Sequence, residues 1–344
     1  MQNKGRILTG HRPTGPRHIG HLVGTLETWV RLQDDYECFF LVADLHVLTT
    51  DYQHPGQISK NILEMLADWL AVGIDPTRSK IVLQSALPQH AQLEVLFGNL
   101  VTVARLERVP TYKEQVQQLG INPSLGLQSY PVLQSADILA YKADTVPVGD
   151  DQLPHLELAR EIARRFNQLF GQTFPEPQGL LSKVARLVGT DNRAMHTSYG
   201  NTIALQDSPE ETTRKVMSMY TDPTRIHASD PGHVDGNPVF VYLDLFDPDR
   251  EEVEDFKRRY RLGRIGDVAV KRRLAQALNE YLAPLRTRRA DYSRSPDYLI
   301  DLLQAGTHSV QPLVQATLEE VQSKMGLRMF DTRSSAVALT KNYS

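Results

Sequence analysis

The strongest constraint on this chain is an alternation in its first hundred or so residues, where short, nearly unbroken apolar runs are separated by longer stretches with helical spacing. Residues 5–10 (GRILTG) read as a short buried strand ended by glycine, and 11–17 as a Pro/Gly loop. Residues 18–33 then place Leu22, Leu26, Trp29, Val30 and Gln33 along one side of a helix. Residues 36–44 (YECFFLVAD) are almost wholly apolar, as a central parallel strand requires. A helix over 57–72 carries Ile58, Ile62, Met65, Leu66 and Trp69 on one face, 79–85 (SKIVLQS) is another buried strand, and 89–103 is helical. A later short strand, 144–148, is broken only by Pro147 and runs through 149–152 into an amphipathic helix over 153–170. Strands alternating with helices imply right-handed crossovers and an open, doubly wound parallel sheet of Rossmann-like type.

After about residue 205 the pattern changes. Ser208-Pro-Glu-Glu211 supplies an N-cap, a proline at the first helical position and a capping-box glutamate. Helices are predicted over 209–220, 249–260, 267–284 and 294–305, with no strand between them. A last helix over 308–325 has Val310, Leu313, Val314, Leu318 and Val321 on one side, so it must dock on something. The expected division is 1–205 for the sheet domain, 206–305 for a helical domain, and 306–344 for a helix that packs back and a tail, loosely ordered after Met329.

Composition narrows the compartment and the partners. The formal net charge of −3 gives no global field to attract nucleic acid, so any RNA contact must use local basic patches. Cys38 is the single cysteine and no Cys/His cluster has zinc spacing, which fits a reducing compartment. The first residues do not read as a signal peptide, and no window approaches the roughly 20 apolar residues of a membrane span. A cytoplasmic globular protein is expected.

Three constellations carry chemistry. The first is Arg12-Pro-Thr-Gly-Pro-Arg-His-Ile-Gly-His21, between the first strand and the first helix. Ligands of open parallel sheets bind beyond the carboxyl ends of the strands, and a helix start there suits phosphate. His18 and His21 share a helical face and can donate to charge that builds up at a phosphate, while Gly20 lets a ligand approach the backbone. The plainer reading is a helix start with two surface histidines. The second is Asp137, inside the apolar segment 130–139 (YPVLQSADIL). A buried carboxylate is costly unless it accepts hydrogen bonds. It is either satisfied by backbone or a nearby Lys or Arg, or it anchors a donor on an otherwise apolar ligand. The third is Gly149-Asp-Asp-Gln152, where Gly149 lets backbone approach a ligand. Asp150 or Asp151 could accept from a ribose, or the two acids simply face the helix dipole.

His18-Ile-Gly-His21 is the HIGH signature of class I aminoacyl-tRNA synthetases, and Pro13-Thr14-Gly15 resembles the tryptophanyl subgroup. The Asp137 segment, the G-D-D-Q element and the flanks of residues 189–203 resemble the same family in the same order, over nearly the whole chain. The resemblance implies ATP as substrate with Mg2+ bound through its phosphates, and L-tryptophan and tRNA(Trp) as partners. The products would be tryptophanyl-tRNA, AMP and pyrophosphate. It implies a helical anticodon-binding domain and a homodimer through the sheet domain. It assigns ATP contacts to Arg12, Pro13, Thr14, Gly20, His21, Gly149, Asp150, Asp151, Leu187, Ala194, Met195, His196, Thr197 and Ser198. In the resemblance the catalytic positions would be His18, His21, Met195 and Ser198. Asp137 would accept the indole N–H, Tyr130 and Gln152 would hold the amino and carboxylate groups, and Leu8, Thr9, Gly10, His46 and Val148 would line the pocket. Leu8 and Val148 could equally be ordinary core, and His46 a satisfied histidine beside the sheet.

The chain departs from the family at its mobile KMSKS loop, where the signature positions read Ala194-Met-His-Thr-Ser198 and both lysines are missing. Those lysines neutralise the leaving pyrophosphate in the family; Arg193, His196 and magnesium could compensate in part. A variant loop with weaker ATP use, an auxiliary paralogue and a deliberately altered loop all fit. The basic runs 257–261, 271–273 and 286–289 are solvated helix faces or, in the resemblance, the RNA candidates. A tyrosyl enzyme, a paralogue that binds tryptophan without efficient adenylation, and a free nucleotidyltransferase remain as alternatives.

Overall fold

The computed structural model describes residues 4–119, 123–149, 152–181, 187–195, 197–227 and 229–327. Asp150, Asp151, His196, the side chain of Ser198 and the tail after Met329 lie outside the described residues.

Five strands form one parallel sheet: β1 (Arg6–His11), β2 (Glu37–Val42), β3 (Lys80–Leu83), β4 (Thr145–Val148) and β5 (Gln178–Leu181), in the order β3-β2-β1-β4-β5. The chain winds outward from β1 to β3 and then returns to place β4 on the other side of β1, so the order reverses between β1 and β4. Strand β5 is absent from the sequence reading because its four residues, QGLL, form a half-exposed edge with little apolar contrast.

Helices cover both faces, as a doubly wound sheet needs. The first, α1, starts as Ile19–His21, widens through a π-helical turn at Leu22–Leu26 and ends as Glu27–Leu32. The next are α2 (Leu45–Asp51), α3 (Ile58–Val72) and α4 (Gln89–Gly98). They are followed by α5 (Val103–Leu106), α6 (Pro110–Leu119), α7 (Leu125–Ala140) and α8 (Leu153–Phe170). The helix expected over 89–103 ends at Gly98, and a separate short helix begins at Val103, capped by the Thr102 side chain. Helices α1 and α3 bury Trp29 and Trp69 on one sheet face, while α4, α7 and α8 bury Phe97, Ala136 and Phe166 on the other.

The rest is helical: α9 (Pro209–Met217), α10 (Pro238–Phe246), α11 (Arg250–Arg261), α12 (Asp267–Ser293) and α13 (Pro296–Lys324). Ser208 caps α9 as expected, its hydroxyl accepting the Glu211 N–H at 3.2 Å. Helix α10 escapes a periodicity search because PVFVYLDLF is apolar almost all round. Two expectations need correction. Helix α12 passes through Pro284 to Ser293 instead of stopping at 284. The helices expected over 294–305 and 308–325 are one, so a boundary at 305/306 cuts through α13. Gly306 is not a breaker there. It brings α13 against the Ile81 carbonyl of β3, where a Cβ has no room. The Thr307 hydroxyl accepts the Leu83 N–H at 3.0 Å and donates to Leu303 O at 2.7 Å. Helix α13 thus seals the free edge of β3, the docking that its apolar side demanded.

Thr307→Val should leave the Leu83 N–H unsatisfied and cost about 1–3 kcal/mol in urea unfolding. Gly306→Val should cost at least as much; unchanged midpoints for both would contradict this seating.

Candidate active site at the reversal of strand order

Strand β1 ends at His11 and the chain turns back through the Pro/Gly loop to α1. Arg17 organises the turn: its guanidinium donates to Gly15 O at 2.7 Å and Arg12 O at 3.3 Å, and its N–H donates to the buried Asp68 at 2.9 Å. Arg12 reaches Thr50 of α2 at 3.2 Å, Pro13 is buried and Thr14 is exposed. The His18 N–H donates to His21 Nδ1 at 3.3 Å, and the two rings lie 3.8 Å apart. With Nδ1 accepting, a neutral His21 carries its proton on Nε2. Burial holds the His21 pKa well below its ordinary value, helped by the positive charge of Arg17 and by His18 and His11. Burial, Arg17 and His18 do the same to His11, which stacks on Trp29 at 4.4 Å. Near neutral pH His11 and His21 are therefore uncharged.

The loop of the missing lysines is closed on itself. Gly189 N–H donates to Arg193 O at 2.7 Å, and Asn201 Nδ2 donates to Asp191 at 2.8 Å and to Ala194 O at 2.9 Å. Burial would raise the Asp191 pKa, but the Asn201 and Arg193 donors bring it down to about 2. Arg193 pairs with Asp191 at 2.6 Å, so its charge is engaged within the loop. The strand-like stretch that follows is stitched to the start of α1: Ile19 N–H donates to Ile203 O at 3.0 Å and Leu205 N–H to Arg17 O at 2.9 Å. The Met195 sulfur lies against Gly20, leaving no space for a Cβ there. Leu187 is buried, and Ala194 and Thr197 are exposed. The loop slot and the HIGH helix start therefore meet.

Asp137 lies on α7 and is only 3% exposed. Among the described residues no Lys or Arg satisfies it. It accepts from His46 Nε2 at 2.9 Å, His90 Nδ1 at 2.7 Å and Gln84 Nε2 at 2.8 Å. Burial would raise its pKa, yet the N–H donors of His46 and His90 outweigh that and hold it below the usual carboxylate range. The Gln84 amide lies 2.8 and 2.9 Å from the two oxygens, so each oxygen already has two protein N–H groups within hydrogen-bond distance, and a ligand donor would take the place of one of the Gln84 contacts. His46 is a satisfied histidine, and its ring also lies 6.4 Å from that of Tyr130. The Tyr130 hydroxyl and His155 Nε2 are 3.4 Å apart. Burial lowers the Arg12 pKa, and the Tyr130 side chain opposes that shift. Leu8 and Thr9 are buried, Gly10 lies against the Leu41 carbonyl, and Val148 is half-buried beside the same core. Gln152 starts α8 with its N–H on Gly149 O at 2.9 Å.

Gln84 and His90 were not anticipated, although a glutamine inside the apolar run 79–85 was a signal of a buried partner. Arg17, Asp68 and His11 were missed too. The basic runs are largely structural. Lys257 pairs with Asp244 and Glu254, and Arg273 binds Asp247 at 2.6 Å. Lys271 donates to Met219 O at 2.6 Å, and Arg288 to Ala71 O at 2.7 Å. Arg258 and Arg261 are exposed, but they too pair with acids, Asp255 and Asp235.

The family model for tRNA synthetases class I (W and Y) matches residues 1–283. The chain belongs to this family. It is 49% identical over 326 residues to the tryptophan–tRNA ligase of Treponema pallidum, covering 94% of this chain and 97% of that protein. It is 48% identical over 335 residues to the tryptophan–tRNA ligase of Chlamydia caviae, covering 95% and 97%. The crystal structure of tryptophanyl-tRNA synthetase from Campylobacter jejuni complexed with ADP and tryptophan superposes with a TM-score of 0.84 at 32% identity, covering 94% of this chain and all of that one. The parallel sheet and helical C-terminal region are those of a Rossmann-like class I synthetase. Among the described residues no helix is long and apolar enough to cross a membrane.

An unfolded chain protonates His11 and His21 below the ordinary histidine value of 6.5, whereas the fold resists it. Their contribution to stability is intact above that pH and declines as pH falls, by at most about 1.4 kcal/mol per pH unit for each residue. His11→Gln should make the decline in melting temperature between roughly pH 7 and 5.5 shallower. An unaltered slope would mean that His11 titrates as in the unfolded chain.

Proposed function

We propose that this chain activates L-tryptophan with ATP and charges tRNA(Trp). The tryptophan carboxylate attacks the α-phosphate and pyrophosphate leaves. The terminal ribose hydroxyl of the tRNA then takes the tryptophanyl group and AMP leaves. The observation that carries this is the seating of the HIGH helix start against the 187–205 stretch, with Met195 on Gly20. The relatives named tryptophan–tRNA ligase support tryptophan as the amino acid and do not favour tyrosine.

In this reading Arg12, Pro13, Thr14 and Gly20 cradle ATP, Leu187 and residues 194–198 cover it, and Gly149 with Asp150 or Asp151 meets the ribose. His18 and His21 face the α-phosphate. The neutral His21 donates from Nε2 to charge that appears during displacement. Magnesium enters on the phosphates of ATP and adds positive charge there. Asp137 accepts the indole N–H in place of one of its two Gln84 contacts, Tyr130 and Gln152 hold the amino acid's polar groups, and Leu8, Thr9, Gly10, His46 and Val148 form the wall. Residues 1–205 serve as the catalytic unit, the helical region from 206 receives the anticodon, and the second half of α13 packs back on the sheet domain. A homodimer in the cytoplasm completes the proposal.

A second reading, a paralogue that binds tryptophan but adenylates poorly, is favoured by one observation: both loop lysines are absent and Arg193 is paired with Asp191. ATP–pyrophosphate exchange separates the two. Tryptophan should support exchange, and tyrosine should be at least about 100-fold poorer. Ala194→Lys with Thr197→Lys should accelerate exchange, by up to about 100-fold per lysine. Tight tryptophan binding with no exchange would establish the second reading and remove the first.

A further inference from the structure

Asp68 on α3 is fully buried, and its two oxygens serve different parts of the molecule. One accepts the Arg17 N–H at 2.9 Å, at the residue before His18. The other accepts the Arg289 Nε–H of α12 at 2.5 Å. Arg289 also pairs with Glu64 of α3 and donates to Gln206 at 2.9 Å. Its neighbour Arg288 closes on Ala71 O at 2.7 Å, near the end of the same α3 helix. On the far side, Arg17 fixes the loop by its guanidinium on Gly15 O and Arg12 O and by its carbonyl on Leu205 N–H. An unbroken hydrogen-bonded chain therefore runs from the helical region to the element that begins with His18.

A buried ion pair is weak evidence for stability, since well-packed apolar side chains often serve as well or better. What the carboxylate adds is direction: it fixes one N–H on the ATP loop relative to one guanidinium on α12. We propose that Asp68 and Arg289 are positioning residues for adenylation, converting the docking of α12 on α3 into the placement of residues 12–21. Neither would touch substrate. Misplacing reacting groups by about 1 Å can cost about 100-fold in rate. This inference rests on residues 12–21 forming the ATP site.

The test is exchange kinetics and ligand binding on the full chain carrying Asp68→Asn, Arg289→Gln, both together, or Arg289→Lys. The amide introduced by Asp68→Asn would turn an N–H toward one of the two donors and break one link. Each of the first two variants should raise KM for ATP or lower kcat by about tenfold or more, while tryptophan affinity stays within about twofold. The double variant should be no worse than the poorer single one, because both cut the same chain. Arg289→Lys should recover part of the loss. Folded single variants with wild-type ATP kinetics would overturn the proposal. Equal losses for ATP and tryptophan, or multiplying losses in the double variant, would overturn it too, since general loosening acts that way. Should Asp68→Asn fail to fold, Arg289→Gln and Arg289→Lys carry the test. A wild-type chain without exchange would sink the functional reading instead; calorimetric binding of a non-hydrolysable ATP analogue to the same variants would still decide this one.

Discussion

Side-by-side pairing of β1 and β4 constrains everything else in the site. Their parallel contact, with Ile7 opposite Thr145, puts the turns that leave both strands at one rim of the sheet. Chains leaving neighbouring strands toward opposite faces open a crevice between them. The loop 12–18 leads to α1 on one face, and Gln152 starts α8 on the other. Histidines at 18 and 21 and Gln152 can share a ligand only because the strand order reverses there. The third contributor, the stretch 187–205, reaches the same rim by backbone pairing with Arg17 and Ile19, which substitutes for strand membership.

Charge within this crevice is arranged sparingly. Burial and Arg17 keep His11 and His21 neutral, so the helix start offers N–H donors and a dipole without adding full cations. Asp137 takes the opposite course: histidine and glutamine donors keep it ionised in a dry setting. A neutral acid there would present a proton to an incoming N–H and repel it. Arg17 is a buried cation in the same loop as these imidazoles, and its guanidinium hydrogen bonds go to loop carbonyls. Residues 194–198 contain no lysine, and the neighbouring Arg193 is paired with Asp191.

Four of the five strands and most helices were legible because buried parallel strands are apolar runs and their crossover helices keep a 3.6-residue period. What escaped has physical reasons. Strand β5 is short and half-exposed, and α10 is apolar on all sides, so neither has a period to detect. Gly306 reads as a stop in one dimension but is a contact with β3 in three. In the site, residues carried by local motifs, from Arg12 to His21 and around Asp137, were readable. Their partners were not: Asp68 belongs to no motif, and Gln84 and His90 lie 53 and 47 positions from Asp137. The basic runs read in one dimension as solvated faces or RNA candidates, and the acids and carbonyls that face several of their cations come from elsewhere in the chain.

The most direct test is equilibrium binding of L-tryptophan beside its benzothiophene analogue, in which sulfur replaces the indole N–H and the shape is kept. If the ionised Asp137 accepts that N–H, the analogue should bind at least about 100-fold more weakly, because the carboxylate loses the donor it is held ready to meet. Equal affinity for the two ligands would contradict the assignment of Asp137 and, with it, the reading of the crevice as a tryptophan site.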